Sequence, residues 1–347
     1  MMLSSRERVV RCLTFTGPDR VPRDLWLLLW AEKNQPKATA ELRNRYPGDF
    51  QTAAYFYPPS SKIKGDPYAA GEYRDEWGCV FHNIQEGIIG EVKNPMVRDL
   101  SGWKRVEPPY EQLPPDRNKA YEDIRRFYGE TKKFVLANAC PRPWERYQFL
   151  RGTENALTDI LTREKEFEAL LQCIHSFYLT ELEFWVKADV DGITFMDDWG
   201  AQDRLLIPPD IWRELFKPLY KDYCDLARSR DKFVFMHSDG WIEDIYPDLA
   251  EVGVNAVNSQ LFCMDMENLA RTVKGKLTFW GEIDRQHVLP SPDPAEGRRA
   301  VREVIRHLYD PSGGVIAQFE FGPGANPETA LAIFDEWEKT HDPTVCR

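Results

Sequence analysis

This 347-residue sequence predicts an α/β fold, a (β/α)8 TIM barrel of eight parallel strands, and three observations predict it. Short apolar runs rich in β-branched and aromatic residues recur along the chain, and eight of them can be counted. Between most of them lie longer segments with helical period, the pattern of a parallel sheet wound with crossover helices. The late runs also end in polar residues, and in a parallel barrel the working groups gather at the C-terminal strand ends.

The eight runs are 23–29, 52–57, 134–140, 192–197, 232–238, 256–262, 277–282 and 314–321. Ahead of the first, Ser4 or Ser5 followed by Arg and Glu reads as the N-cap of a helix that ends near Gly17, before Pro18, and closes the bottom or edge of the barrel. Residues 72–115, between the second and third runs, form an insertion. Its alternating run Asp75-Glu76-Trp77-Gly78-Cys79-Val80-Phe81 and a second run at 87–92 predict a β-hairpin, followed by a Pro-rich loop. Residues 153–188 carry enough helical period for two helices, and His175 within that pattern reads as a helix-surface or packed histidine and not a ligand. With no internal repeat, low-complexity stretch or long linker, one domain over 1–347 is expected.

Composition narrows the function classes. The chain is 42% hydrophobic, 13% aromatic and 29% charged, as globular proteins are. A formal net charge of −11, with no Lys/Arg cluster, argues against a nucleic-acid or anionic-membrane surface and for a small-molecule or protein partner. The opening MMLSSRERVV places charges where a secretory segment is apolar, and no run is long enough to span a membrane, so a cytoplasmic protein is expected. Cys12, Cys79, Cys140, Cys173, Cys224, Cys263 and Cys346 are odd in number and form no CxxC pair, which reads as reduced thiols. Cys263 stands apart because it falls just past the sixth run.

Four strand ends carry the candidate chemistry: Met196-Asp197-Asp198-Trp199, Met236-His237-Ser238-Asp239, Asn258-Ser259-Gln260 and Gln318-Phe319-Glu320. Strand side chains alternate, so His237 and Asp239 share a face above Phe233 and Phe235 if the strand persists that far. Such a pair suits a divalent metal or acid–base work, or else is a histidine fixed by its neighbour's carboxylate with no catalytic duty. Asn258 and Gln260 share parity, as do Gln318 and Glu320, which converges several polar groups on one barrel mouth. A carboxylate inside an apolar strand, as Glu320 is, is costly to bury unless paired or liganded. Asp197 and Asp198 are adjacent and point opposite ways, one toward the site and the other to a capping role. Trp26, Trp30, Trp199 and Trp280 are candidates for an aromatic pocket.

These strand ends lie within a longer pattern: SSRERVVRCLTFTGPDRVP, DEWGCVF, GITFMDDWGAQDRLLIPPDIWRELFKPLYK, FMHSDG, EVGVNAVN, FWGEID and FEFGPGANPETALAIFDEW. Together they resemble the uroporphyrinogen decarboxylase family, whose superfamily also contains cobalamin-linked methyltransferases, and the resemblance runs nearly end to end. It implies the same barrel, and a monomer or homodimer. Within that superfamily the decarboxylase itself is disfavoured. Its arginine-bearing N-terminal motif is replaced by Leu25-Trp26-Leu27-Leu28-Leu29-Trp30-Ala31-Glu32-Lys33, its aspartate after the second strand by Phe56-Tyr57-Pro58-Pro59, and its late Gly-His-Gly by Gly322-Pro323-Gly324.

The methyltransferase branch implies zinc held by a His-x-Cys pair and a later cysteine, which lowers the pKa of a thiol. His237 matches the histidine, but Asp239 and Ala325 stand where the thiolates would be. The resemblance therefore implies Zn2+ or another divalent metal on His237, Asp239 and Glu320, with Cys263 as a further sulfur ligand, a harder set suited to oxygen-bearing substrates. The expected function is methyl transfer between a small methylated compound and a corrinoid on a separate protein, since no DxHxxG motif is present. His237 and Asp239 would bind metal or polarise the heteroatom, and Glu320 or Asp198 would be the general acid. Asn258, Gln260 and Gln318 join the tryptophans as candidate substrate contacts. The alternatives are a cofactor-free lyase (carboxy-lyase) acting on a small acid, and a non-catalytic ligand-binding barrel.

Overall fold

The structure, a computed structural model, describes residues 2–54 and 57–341. Residues 55 and 56 of the second predicted run, and Cys346, lie outside them. Eight parallel strands make one sheet: β1 Arg23–Leu27, β2 Phe50–Thr52, β3 Phe134–Leu136, β4 Gly192–Met196, β5 Phe233–Ser238, β6 Ala256–Ser259, β7 Thr278–Trp280 and β8 Val315–Phe321. In space they run β1-β8-β7-β6-β5-β4-β3-β2, so consecutive strands are neighbours and the sheet curls into a nearly closed barrel. At the seam where β1 meets β2, the Asp49 amide donates to the Arg23 carbonyl at 2.8 Å. All eight predicted strands form, and several are shorter or shifted. β2 begins two residues early, β3 stops at Leu136, and the run at 256–262 breaks after Ser259 into a 3-10 turn over Leu261–Cys263.

An aromatic floor fills the barrel. Phe50 meets Phe134 at 5.6 Å between ring centroids, Phe134 meets Phe235 at 5.6 Å, and Phe235 meets Trp280 at 5.1 Å. Beneath that floor the helix Ser5–Leu13 places Val9, Cys12 and Leu13 against Phe134, Phe235 and Ile316, plugging the bottom as expected. Ser4 caps it reciprocally with Glu7, and it ends at Leu13 rather than near Gly17 because Phe15 turns left-handed at φ 53°.

The predicted pair of helices occupies Thr153–Thr162 and Lys165–Trp185. His175 is buried there, its ring nitrogens 3.1 Å from the Tyr223 hydroxyl and 3.0 Å from Asp222, which is the packing role expected of it. Among the described residues no helix is long and apolar enough to cross a membrane.

The predicted hairpin insertion forms, with one strand more than expected. Gly71–Arg74, Val80–Asn83 and Glu91–Val92 form a three-stranded antiparallel sheet, with Tyr73 opposite Phe81 and Phe81 opposite Val92. Most of the run read as the first hairpin strand is a turn. The Asp75 carboxylate accepts from the amides of Trp77 at 3.0 Å and Cys79 at 2.8 Å, and Gly78 takes φ 91°, where a side chain is strained. That turn buries Trp77 against Phe177, 5.2 Å between centroids, and Arg146 pairs with both Asp75 and Glu76. The insertion is thereby pinned over the barrel mouth as one wall of its cavity.

Candidate functional site

A cavity of about 930 Å³ opens at the C-terminal strand ends, above the aromatic floor. Its wall includes Asp24 and Trp26 from β1, Met196, His237, Trp280 and Glu320 from the later strands, and Glu76, Trp77, Arg142, Tyr178 and Glu181 from the insertion and helices.

β4 ends at Met196, and the next two residues part. Asp197 is fully buried; its carboxylate accepts from the Glu145 amide at 2.8 Å and the Tyr220 hydroxyl at 2.6 Å, and so caps the helix Pro143–Arg151. Burial and the nearby Glu145 carboxylate push its carboxyl well above the usual range. Asp198 takes the other direction and accepts the Asp239 amide at 2.9 Å. Asp198 is therefore the member of the pair at the site.

His237, the fifth residue of β5, is buried. Asn258 of β6 donates its amide nitrogen to the Trp280 carbonyl, which leaves its Oδ1 facing His237 Nδ1 at 2.6 Å. An amide oxygen only accepts, so Nδ1 carries the hydrogen and Nε2 presents its lone pair toward the mouth. There it lies 3.7 Å from Asp198 Oδ1 and 3.7 Å from Asp239 Oδ1. The three ligand atoms lie within 4.8 Å of one another, the one such group among the described residues. Asp239 Oδ1 is buried without a hydrogen-bond partner, while Oδ2 pairs with Arg285. Burial and the Asp239 carboxylate raise the Asp198 carboxyl above its usual range.

The loops carrying these groups are zipped together. The Gly200 amide donates to the Asp239 carbonyl at 3.1 Å, the Trp241 amide to the Ala201 carbonyl at 2.8 Å, and the Trp199 amide to Ser238 Oγ at 3.1 Å. Gly200 and Gly240 cross so closely that a Cβ on either would strike the other's backbone, and Gly240 holds φ 75°.

Several predicted residues fall elsewhere. Glu320 lines the cavity but pairs with Arg285 at 3.1 Å and stands outside the metal-type cluster, so Asp198 takes the place expected of it. Cys263 is half-buried beside a separate small cavity, 3.7 Å from Gln260 Oε1, and is no part of that cluster. Gln260 follows β6 and accepts the Gly240 amide at 3.2 Å, supporting the loop instead of facing the cavity. Gln318 packs beside Gly281 with both amide atoms unpartnered, lining a different and minor void. Trp199 is core: it stacks on Trp144 at 5.2 Å and donates to the Tyr220 hydroxyl at 2.7 Å. Trp30 sits in the helix Leu29–Asn34, outside the cavity wall. Trp26 and Trp280 do line the cavity, edge to face at 5.2 Å, with Trp26 5.4 Å from the His237 ring.

Sequence reasoning passed over Arg285, whose guanidinium ties Asp239, Glu282 and Glu320 together, and Asp24, which accepts from Trp26 Nε1 and Trp280 Nε1, each at 3.0 Å. The signal for Arg285 was available: a lone cation three residues past Glu282, beside a mouth otherwise rich in carboxylates. Glu181 comes from the helix Lys165–Trp185 and Arg142 from the loop just before the helix Pro143–Arg151, and nothing local marks either as facing a cavity. Burial pushes Glu145 and Glu181 up to about 7 and Glu282 up to about 8.

The fold and the site together define an α/β barrel with a histidine between two carboxylates at its mouth and a large aromatic-floored cavity beside them. The chain belongs to the uroporphyrinogen decarboxylase (URO-D) family, whose model matches residues 77–339. Among solved structures it is similar to a methyltransferase from Methanosarcina mazei, at 14% identity over 98% of this chain and 99% of that one, with a TM-score of 0.70. A glycosylated endo-beta-1,4-xylanase from Gloeophyllum trabeum matches at 13% identity over 68% of this chain and 90% of that one, with a TM-score of 0.37. The first likeness is one of fold, and the second carries no argument. No curated protein matches the chain.

Proposed function

We propose that this chain is a methyltransferase of the URO-D family that moves a methyl group between a small methylated compound and a corrinoid held on a separate protein. The observation that carries this reading is the Asp198–His237–Asp239 cluster, and the methyltransferase fold likeness accompanies it. The cluster fits a divalent metal. One nitrogen lone pair and two carboxylates converge, Asp239 Oδ1 has no other partner, and separations of 3.7 Å are close to the roughly 3.0–3.4 Å between neighbouring ligands of a bound ion. Bound there, a divalent cation supplies Lewis acidity to a substrate heteroatom.

The chain's own residues do the rest. Asn258 fixes the histidine tautomer, Arg285 aims the Asp239 carboxylate, and Trp26 and Trp280 offer aromatic surface to the methylated group. With no thiolate in the cluster, the set favours oxygen-bearing substrates. When the methyl group leaves, the bond electrons stay on the heteroatom, which then needs a proton. Glu320 is committed to Arg285 and Asp198 to the cluster, so the donor lies elsewhere in the cavity.

Elemental analysis of the purified protein tests the reading. Near-stoichiometric divalent metal is expected in the wild type and a loss of at least tenfold in His237→Ala and Asp239→Ala, with demethylation of a methoxy, methylamine or betaine compound onto free reduced cobalamin. Metal-free protein together with no methyl transfer would sink it.

One observation favours a second reading, a cofactor-free lyase acting on a small acid. Arg142 is in the cavity wall without an ion-pair partner among the described residues, placed to receive a substrate carboxylate. Release of carbon dioxide or another fragment that survives exhaustive chelation would select it.

A further inference from the structure

Asp24 is the second residue of β1, opposite Gln318 of β8, and it is half-buried at the one place where the barrel is not laddered shut. Two indoles converge on a single oxygen: Trp26 Nε1 and Trp280 Nε1 each donate to Oδ2 at 3.0 Å. Oδ1 has no partner among the described residues. Asp24 also lines two cavities, the main one that holds His237 and Glu320, and a second of about 420 Å³ at the seam, bounded by Arg43, Tyr46, Gly48, Phe50 and Lys133. A carboxyl with one oxygen fixed and the other open, at the junction of an inner and an outer cavity, is built to carry a proton between them.

We propose that Asp24 is a catalytic acid of this cavity, donating a proton from Oδ1 to the substrate heteroatom as its methyl group departs, and that the seam cavity returns the proton from solvent. This role rests on the methyl-transfer reading. The bond between methyl carbon and heteroatom breaks, its electron pair stays on the heteroatom and takes the Asp24 proton, and the methyl group passes to the nucleophilic reduced corrinoid of the partner. A proton from bulk solvent, relayed by water at the seam, then reprotonates the carboxylate, which restores the starting state and leaves one solvent proton consumed per turnover.

The electrical surroundings agree. Desolvation raises the Asp24 carboxyl to about 6 against the opposing indole hydrogen bonds. Across the seam stand Asp49, itself held by Arg8 and Arg20, and Lys133, with Arg43 and Tyr46 further out. Across the main cavity stand His237 and the Arg285-paired Glu320. Of these, Asp49 pushes the Asp24 carboxyl up and Lys133 pulls it down.

Infrared difference spectroscopy of the whole protein between pH 4.5 and 8, with no substrate present, reads the carboxyl directly. A protonated-carboxyl band is expected to titrate with a midpoint near pH 6 in wild type, to vanish in Asp24→Asn, and to move to higher pH in Trp280→Phe, which removes one indole donor. Superimposable wild-type and Asp24→Asn spectra, or an unmoved midpoint in Trp280→Phe, would overturn the proposal. With a methoxy compound and free reduced cobalamin, the single-turnover rate should fall as pH rises through that midpoint. Asp24→Asn should lower it about 10²-fold and flatten the profile, whereas an unchanged profile would also overturn the catalytic role. If no methyl transfer occurs while the band still titrates as described, the methyl-transfer reading fails and the proton site at Asp24 stands.

Discussion

At the scale of single residues, the chemistry of the mouth depends on which nitrogen of His237 is free, and Asn258 decides that. Its two amide atoms are used in opposite senses, one donating to the Trp280 carbonyl and the other accepting from Nδ1. Asn258→Ala removes both and lets the ring turn and change tautomer. Zinc affinity, measured by titration calorimetry, should fall by about 10- to 100-fold, and Asn258→Asp, which keeps the acceptor, should recover part of it. Unchanged affinity in Asn258→Ala would show that the histidine is held by other means. Much of this scale was legible in the sequence. Alternation placed His237 and Asn258 at a common mouth. It failed for Gln318, which shares parity with Glu320 yet lies beside the bare Gly281, where there is room for its side chain and no partner for it.

At the scale of elements, strand existence was easier to read than strand ends. A parallel strand buried on both faces is a continuous apolar run, and nothing within the run marks where pairing stops. β6 illustrates this: it pairs with β5 over Ala256–Ser259 but with β7 only at Ala256 and Val257, and the backbone then turns so that Gln260 and Cys263 leave the cavity. In the insertion, the alternation of Asp75–Phe81 imitated a strand, but an aspartate accepting two following amides makes a turn. The loops after β4 and β5 hold Asp198 and Asp239 and cross at Gly200 and Gly240. Gly240→Ala adds a methyl group where the other loop's backbone already lies, at a left-handed φ. We expect a loss of at least about 2 kcal/mol in urea unfolding, with metal binding weakened in the same variant. A stable variant that binds metal normally would contradict this account of what holds the two carboxylates at their spacing.

At the scale of the whole molecule, burial holds several carboxyls in their protonated form well above the usual carboxylate range. Burial raises Asp24 to about 6, Glu145 and Glu181 to about 7, and Glu282 to about 8. Each holds its proton in the folded state at pH values where the unfolded chain, titrating near 4, has released it. Their contribution to stability is therefore complete below about pH 4 and is lost as pH rises through 6 to 8. Asp19 and Glu336, lowered by Arg8, Arg302 and Lys339, act in the acid window below that range and do not offset the loss. Scanning calorimetry at constant ionic strength should show Tm falling steadily from pH 5 to pH 8.5; a flat or rising curve would mean that these carboxyls are better solvated than the fold implies. The acidic composition was visible in the sequence, but the placement of Glu145 and Glu181 on helices that turn them inward was not, because it depends on packing between distant segments.

The crossing of Gly200 over Gly240 bears on how such a site can diversify. Each loop's path is moulded on the other's bare backbone, so neither can gain a side chain, lengthen or be exchanged for a homologous loop without its neighbour changing in step. Asp198 and Asp239, 41 positions apart in the chain, would then be inherited and recombined as a single cassette, and a chimaera that splits the two loops between parents should lose the site even when both parents possess it.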